Sequence, residues 1–326
     1  MKIMTIDELK TYFNKISIFI NPQKVEYWNS ITKCSIREKP INLSNYYLDF
    51  SSKIDYPGNF SENGIPLFSY KGQPPVEQPI VIAQYGLGLS SVIFNEGSKK
   101  NEMIKKFLNI ADWFCDNKEL FTEGYCWRIK HLYPHYNLTE PWVSAMAQGE
   151  AISVLTRAAL LSNKRKYSDI AVGALTPFEF DVNKGGVRNY FNSLLVFEEF
   201  TTPIRTMAVL NGYFFALFGL YDLYLLNKNE KSYHLFSEGV YSLKQLLPYY
   251  DLKGWSRYYL FDYPKKYYSS LTYHILVIEQ LKVMYLITGS TEFKFYYEKW
   301  ESASKSIYLK SKALISKILF ANSFSK

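Results

Sequence analysis

Cysteine and histidine are scarce in this chain of 326 residues. There are three cysteines, Cys34, Cys115 and Cys126, and four histidines, His131, His135, His234 and His274. An odd cysteine count with no short paired spacing argues against a disulfide scaffold. His131 and His135 stand four residues apart, but Pro134 between them breaks any helix. They therefore read as two loop histidines, and no metal is assigned. No run of 18 apolar residues occurs, which excludes a spanning helix. No run of five basic residues and no helix-turn-helix, zinc-finger or RNP signature is present, which argues against nucleic acid. A glycine-rich phosphate loop is missing too. Gly86 and Gly88 fall inside a helical block, so no nucleotide or other cofactor is expected. Charges come too early in the first ten residues for a secretory segment, and the expected location is the cytoplasm.

Rings and apolar residues are abundant. Hydrophobic residues make up 48% of the chain, enough for a large core and too many for disorder. Aromatic residues make up 18%, and 29 of them are tyrosine. Tyrosine joins an apolar body to a polar tip and suits a wet, ring-lined groove such as a carbohydrate cleft; an aromatic-rich core is the plainer reading. The net charge of +8 fits a polyanionic partner.

Residues 1–78 form a mixed arm. A short helix is expected at Ile6–Ile16, followed by turns and short strands around Pro57-Gly58-Asn59, Asn63-Gly64 and Pro74-Pro75. From 79 to 326 the apolar spacing becomes helical. Helices are expected to open at Ala83-Gln84-Tyr85-Gly86, Ala147-Gln148-Gly149, Leu210-Asn211-Gly212 and Tyr273-His274, a period of about 63 residues. Each is followed by a polar loop and a second helix. Ser162–Arg165, Asn227–Glu230 and Thr288–Thr291 are such loops. The class is mainly α: helical hairpins that close into an α/α toroid or stack as a solenoid, with strands in the N-terminal arm. A second helical domain without repetition is the alternative.

Function is expected in the stretches Arg128–Trp142, Phe197–Arg205 and Trp255–Tyr273. Glu198 and Glu199 are adjacent carboxylates flanked by Phe197 and Phe200. An apolar flank implies burial, which raises a carboxyl pKa toward neutrality and suits a general base. Tyr258 and Tyr273 are candidate proton-transfer phenols, with Arg257 and His274 available to stabilise a phenolate. A solvated glutamate pair and packed tyrosines are the plain readings of the same residues.

The run from Glu140 to Ala158, with Trp142-Val-Ser-Ala-Met-Ala-Gln-Gly-Glu-Ala-Ile-Ser153 at its centre, resembles the C-terminal domain of D-glucuronyl C5-epimerases. Leu210 to Asp222, Tyr273-His274 with Gln280-Leu281 and Lys299-Trp300, and Ala83 to Leu87 are further matching blocks, in order from about residue 79 to 300. The resemblance implies an α/α toroid, β-structure before it, and inversion at C5 of a uronate within a heparosan-like or heparan sulfate-like polymer, D-glucuronate to L-iduronate. It makes Glu199 the catalytic carboxylate and Tyr258 and Tyr273 the catalytic phenols. Trp142, Gln148, Asn211 and His274 become substrate-binding candidates. So do the cations that could neutralise the uronate carboxylate, Arg128, Lys130, Arg205 and Arg257. Two departures stand out. A family tyrosine after the glutamate is Phe200 here, and a family arginine after the first tyrosine gives way to Leu260-Phe261. The implied partner is an acidic polysaccharide, and the resemblance admits a homodimer. A uronate lyase, a non-catalytic acidic-glycan-binding protein and a helical scaffold for protein partners are the competing classes.

Overall fold

The computed structural model describes residues 27–36, 41–69, 73–95, 100–133, 136–262 and 266–323. Two compact units divide the chain: Cys34–Pro248, and Tyr249–Lys326 together with Met1–Lys33. The boundary expected between 78 and 79 falls inside the larger unit. The helix expected at Ile6–Ile16 and the histidine at 135 lie outside the described residues.

In the larger unit the helices come in pairs: α1 (Pro79–Asn95) with α2 (Lys100–Asp116), α3 (Ala145–Ser162) with α4 (Arg165–Gly173), and α5 (Leu210–Asn227) with α6 (Glu230–Tyr250). The smaller unit holds α7 (Leu271–Thr288), α8 (Thr291–Ser304) and α9 (Ile307–Ser323). The three polar loops read from the sequence are the observed helix breaks. At each the chain stops the helix with a left-handed residue, which favours Gly or Asn because a Cβ is strained there. Asn163, Lys228 and Gly289 take φ of 54°, 55° and 70°, and their N–H groups donate back to Ala159, Tyr224 and Tyr285. The first helix begins earlier than expected, at Pro79 rather than Ala83. Proline is suited to that first position because its missing N–H would be unpaired there anyway.

The first helices of the three pairs are buried on every side over much of their length: Val81–Ser91, Ala145–Ala158 and Leu210–Leu220. A helix that is apolar all round must sit between other elements. Accordingly α1 packs on α3, and α3 packs most extensively on α5. Glycine sets the α3–α5 approach. A Cβ on Gly219 would stand 2.1 Å from the Gly149 carbonyl oxygen, and one on Gly149 would stand 2.4 Å from that of Phe215. The two backbones therefore touch, which no larger residue permits.

Strands are not confined to the arm. β1 (Leu67–Phe68) pairs with β2 (Val76–Glu77) there, but three further antiparallel pairs lie between the helices. These are β3 (Glu119–Phe121) with β4 (Gly124–Cys126), β5 (Arg128–Ile129) with β6 (Trp142–Val143), and β7 (Arg188–Phe191) with β8 (Leu194–Phe197). Their two- to four-residue length gave the sequence no usable alternation.

The arm is tied to the helices by buried charge. Arg157 of α3 and Asp222 of α5 are wholly buried and paired at 2.6 Å. Tyr47 donates its hydroxyl to Asp222 at 2.7 Å, and Arg157 also donates to the Asn45 carbonyl at 3.3 Å. The guanidinium lies over the Tyr46 ring, 5.0 Å from its centroid.

Candidate active site

The β7–β8 hairpin delivers the glutamate pair. Its two-residue turn, Asn192-Ser193, has φ of 50° and 64°, the conformation that matches strand twist. Strand alternation turns Phe197 inward, edge-on to Phe178 and Tyr213 at 5.1 and 5.6 Å. Glu198 and Glu199 follow directly, and both are buried.

The two carboxyls have different company. Glu198 accepts the backbone N–H of Met207 at 2.8 Å and of Ala208 at 2.9 Å, with the Asn189 amide at 3.4 Å. It therefore clamps the loop before α5, where Ala208 sits at φ 51°. Glu199 has one side-chain partner among the hydrogen bonds of the described residues, the Asn211 amide at 3.3 Å. Burial pushes both carboxyls up to about 8. For Glu198 that push works against three N–H donors; for Glu199 it works against Asn211 alone. Glu198 is thus fixed by the backbone of that loop, and Glu199 is the less tightly held of the two carboxyls. Gly212 leaves room for it: a Cβ there would stand 2.4 Å from its Oε2.

Phe200 turns into a ring cluster. It stacks on Tyr136 with centroids 4.8 Å apart at 18°, and meets Trp142 at 5.7 Å and Tyr133 at 6.0 Å. His131 joins edge-on to Tyr133 at 4.6 Å, and burial lowers its pKa. Trp142 is a member of this wall, its indole N–H held by the His131 carbonyl at 3.2 Å. Tyr133 and Tyr136 were not singled out by sequence. They lie on an irregular loop whose rings are brought together by the β5–β6 pairing, which has no local signature.

Of the other candidates in this unit, Gln148 and Arg128 have partners within the protein. Gln148 is fully buried; its amide donates to the Tyr125 and Ala174 carbonyls at 3.2 and 3.1 Å and its oxygen accepts from Trp127 N–H at 3.0 Å. Arg128 pairs with Glu119, both partly exposed. Lys130 is exposed and Arg205 half-buried.

In the smaller unit, Ser270 caps α7 by accepting the N–H of Tyr273 at 3.2 Å, which fixes the start of that helix. The Tyr273 ring meets Tyr258 at 4.9 Å and 69°, and Tyr258 meets Tyr267 at 5.6 Å and Tyr259 at 5.8 Å. The two candidate phenols therefore share one four-tyrosine cluster. The loop carrying Tyr258 is held by Asp251, which accepts from Trp300 Nε1 at 2.7 Å, Lys299 at 2.8 Å and Gly254 N–H at 3.0 Å. Burial would raise that carboxyl, but these donors outweigh it and lower its pKa.

His274 is packed among the rings of the smaller unit. Its ring stacks on Trp255 at 3.9 Å, Nδ1 accepts the Ser256 N–H at 3.2 Å, and burial lowers its pKa to about 3. Burial thus favours its neutral form. Arg257 is buried, and its guanidinium reaches the Leu260 carbonyl at 2.9 Å and Asp262. It thus lies against residues 260–262, the segment in which the resembled family carries its arginine.

No group of three or more metal-type ligands is present among the described residues, and no helix there is long and apolar enough to cross a membrane.

A D-glucuronyl C5-epimerase of Caenorhabditis elegans is 39% identical over 159 residues, 44% of this chain and 26% of that protein. An uncharacterized protein of Methanocaldococcus jannaschii is 32% identical over 179 residues, 53% of this chain and 56% of its own length. The chain thus spans about a quarter and about half of these two relatives. Among solved structures, the cellobiose 2-epimerase of Bacillus thermoamylovorans shares the fold, with TM-score 0.55 and 11% identity over 76% of this chain and 66% of that one. The family profile of the D-glucuronyl C5-epimerase C-terminus matches residues 122–302, which include Glu199, Tyr258 and Tyr273. With more than half of its length under that profile, the chain belongs to the D-glucuronyl C5-epimerase family through the family's C-terminal domain.

Proposed function

We propose that the protein is a carbohydrate epimerase that inverts C5 of uronic acid residues, D-glucuronate to L-iduronate, within an acidic polysaccharide. The observation that carries this reading is Glu199: a buried carboxyl with one amide partner, pushed up to about 8, within the residues the family profile matches and at the place the sequence resemblance makes catalytic. The C5 proton lies α to a carboxylate, and its removal builds an enediolate-like dianion. A base whose pKa lies near the working pH is suited to that task. Inversion also needs a second group to return a proton to the opposite face. The resemblance supplies Glu199 for one face and Tyr273, assisted by Tyr258, for the other; the proton gained at one group and lost at the other is balanced by exchange with solvent. The net charge of +8 supports a polyanionic substrate drawn in at long range. The repeated hairpins support an α/α toroid as the architecture.

Incubation with heparosan in D₂O tests the reading. Deuterium at C5 together with iduronate signals is the expected NMR result. An absorbing, unsaturated product would mean a lyase instead, and bound polymer with no exchange would mean a glycan-binding protein. Tyr273→Phe removes one hydroxyl and leaves the ring. It is expected to abolish C5 exchange with little change in the urea midpoint, and wild-type exchange in that variant would remove Tyr273 from the mechanism.

A further inference from the structure

The helix α9 of the smaller unit leaves an apolar face exposed. Ser306 starts the helix by accepting the N–H of Leu309 at 3.4 Å. On the inner side Ala313 belongs to a cluster with Trp255 and Leu271, and Leu309 and Leu314 pack against it. The outer side is apolar as well. Ile307 is 81% exposed, Tyr308 73%, Ile315 56% and Leu319 49%. At about 100° per residue, these four and the half-buried Ile318 fall within an arc of about 120°. Single exposed apolar residues are ordinary on a protein surface, but a stripe of them along one helix face marks a contact surface.

Lysines border that stripe on both sides. Lys312 lies about 20° past one edge, and Lys310 and Lys317 about 60–80° past the other. The Lys317 ammonium also sits 5.0 Å from the Tyr267 ring centroid. From residue 302 to 326 there are five lysines and no aspartate or glutamate, in a chain whose net charge is +8. Acids of the neighbouring helices have other partners. Glu298 pairs with Lys294 at 3.8 Å, and Glu279 and Glu301 both pair with Lys282 at 2.8 Å. Among the described residues no carboxylate forms an ion pair with Lys310, Lys312 or Lys317.

We infer that α9 docks on an anionic phospholipid bilayer, lying flat in its surface. Ile307, Tyr308, Ile315 and Leu319 enter the boundary of the acyl chains, and the flanking lysines reach the headgroup phosphates. The inference does not rest on the epimerase reading. Charge selects the occupant. A second copy meeting this stripe face to face would bring two lysine-bordered helices together with no acid on either, and like charges at that range repel. A polyanionic glycan would match the lysines but give the isoleucines little to be buried in. An anionic bilayer satisfies both, because apolar side chains enter it while long lysine stems carry their charge out to the phosphates. Tyrosine is at home at the headgroup level, where Tyr308 stands. With 17 residues and three lysines, α9 is not long and apolar enough to cross the bilayer, so it lies on it.

Co-sedimentation of the full chain with vesicles tests this. The vesicles are phosphatidylcholine alone, or with about one-third phosphatidylglycerol, at about 0.1 M salt. Binding is expected to the mixed vesicles, and at least about tenfold weaker binding to phosphatidylcholine alone. Tyr308→Ser/Ile315→Ser changes two exposed side chains. It should lower partitioning by about tenfold or more with the urea midpoint unchanged. Lys310→Gln/Lys312→Gln should lower it by about thirtyfold. No binding of the wild-type chain to mixed vesicles overturns the inference. So does binding that the lysine variant loses and the Tyr308/Ile315 variant keeps, because charge alone would then hold the chain. A wild-type chain that ignores vesicles and is dimeric, with Tyr308→Ser/Ile315→Ser monomeric, also overturns it and assigns the stripe to a second copy.

Discussion

Glu199→Gln lowers C5 exchange by about a thousandfold with the fold intact, while Glu198→Gln loses stability first. The difference follows from the partners. A glutamine at 199 still offers an oxygen to Asn211 and loses only the ability to take a proton. A glutamine at 198 turns an NH₂ group toward either Met207 N–H or Ala208 N–H, both now accepted by carboxyl oxygens. Leaving a buried donor unpaired costs about 1–3 kcal/mol. pH separates the two further. On unfolding, both carboxyls return to about 4.3, so between there and about 8 the unfolded chain holds fewer protons. Stability therefore falls as pH rises through that window. Glu199→Gln removes one of the two contributions, and its unfolding free energy should decline less steeply above pH 5. Equal loss of exchange in both variants at unchanged stability would mean that the pair has been read in the wrong register.

Arg157→Met unfolds the chain at a much lower urea concentration than wild type, with a loss of about 3–5 kcal/mol. The methionine fills most of the volume, so the cost is electrostatic. Asp222 keeps its charge, wholly buried, with only the Tyr47 hydroxyl left from the present network. Replacing both partners in Arg157→Met/Asp222→Leu should recover most of the loss, because no buried charge is then stranded. A single variant within about 1 kcal/mol of wild type would show that the pair is not what anchors the arm.

The helical repeat was legible because its stop signals are local. Asn163 and Gly289 are residues that tolerate left-handed backbone, and Lys228 stands in a polar break between apolar runs. The glutamate pair was legible as a buried pair because Phe197 and Phe200 flank it. What separates its members was not, since the Met207 and Ala208 N–H groups that claim Glu198 belong to a loop with no motif. The setting of His274, stacked on Trp255 and accepting from the Ser256 N–H, was not legible either, since its partners lie 18 or more residues away. The buried Glu150–Gln84 bond between α3 and α1 joins residues 66 apart. Spacing within a helix says nothing about such pairings.

The ties of the arm also order events in time. Tyr47 bonds Asp222 across 175 residues and Arg157 bonds Asn45 across 112, whereas α3 and α4 are joined by a two-residue turn. Closing a long loop has a greater entropic cost than closing a short one, so local hairpins form early and distant pairings late. The Asn45–Tyr47 part of the arm is therefore expected to dock after the rate-limiting step of folding. Tyr47→Phe should accelerate unfolding and leave the refolding rate nearly unchanged, and stopped-flow chevrons would reveal the opposite split if docking came first. On that order of events, Arg157, Asp222 and Glu150 would stay hydrated until this segment closes. Lys53 would then arrive with the same segment, so the larger unit would acquire its buried charges only as the chain commits to the native state.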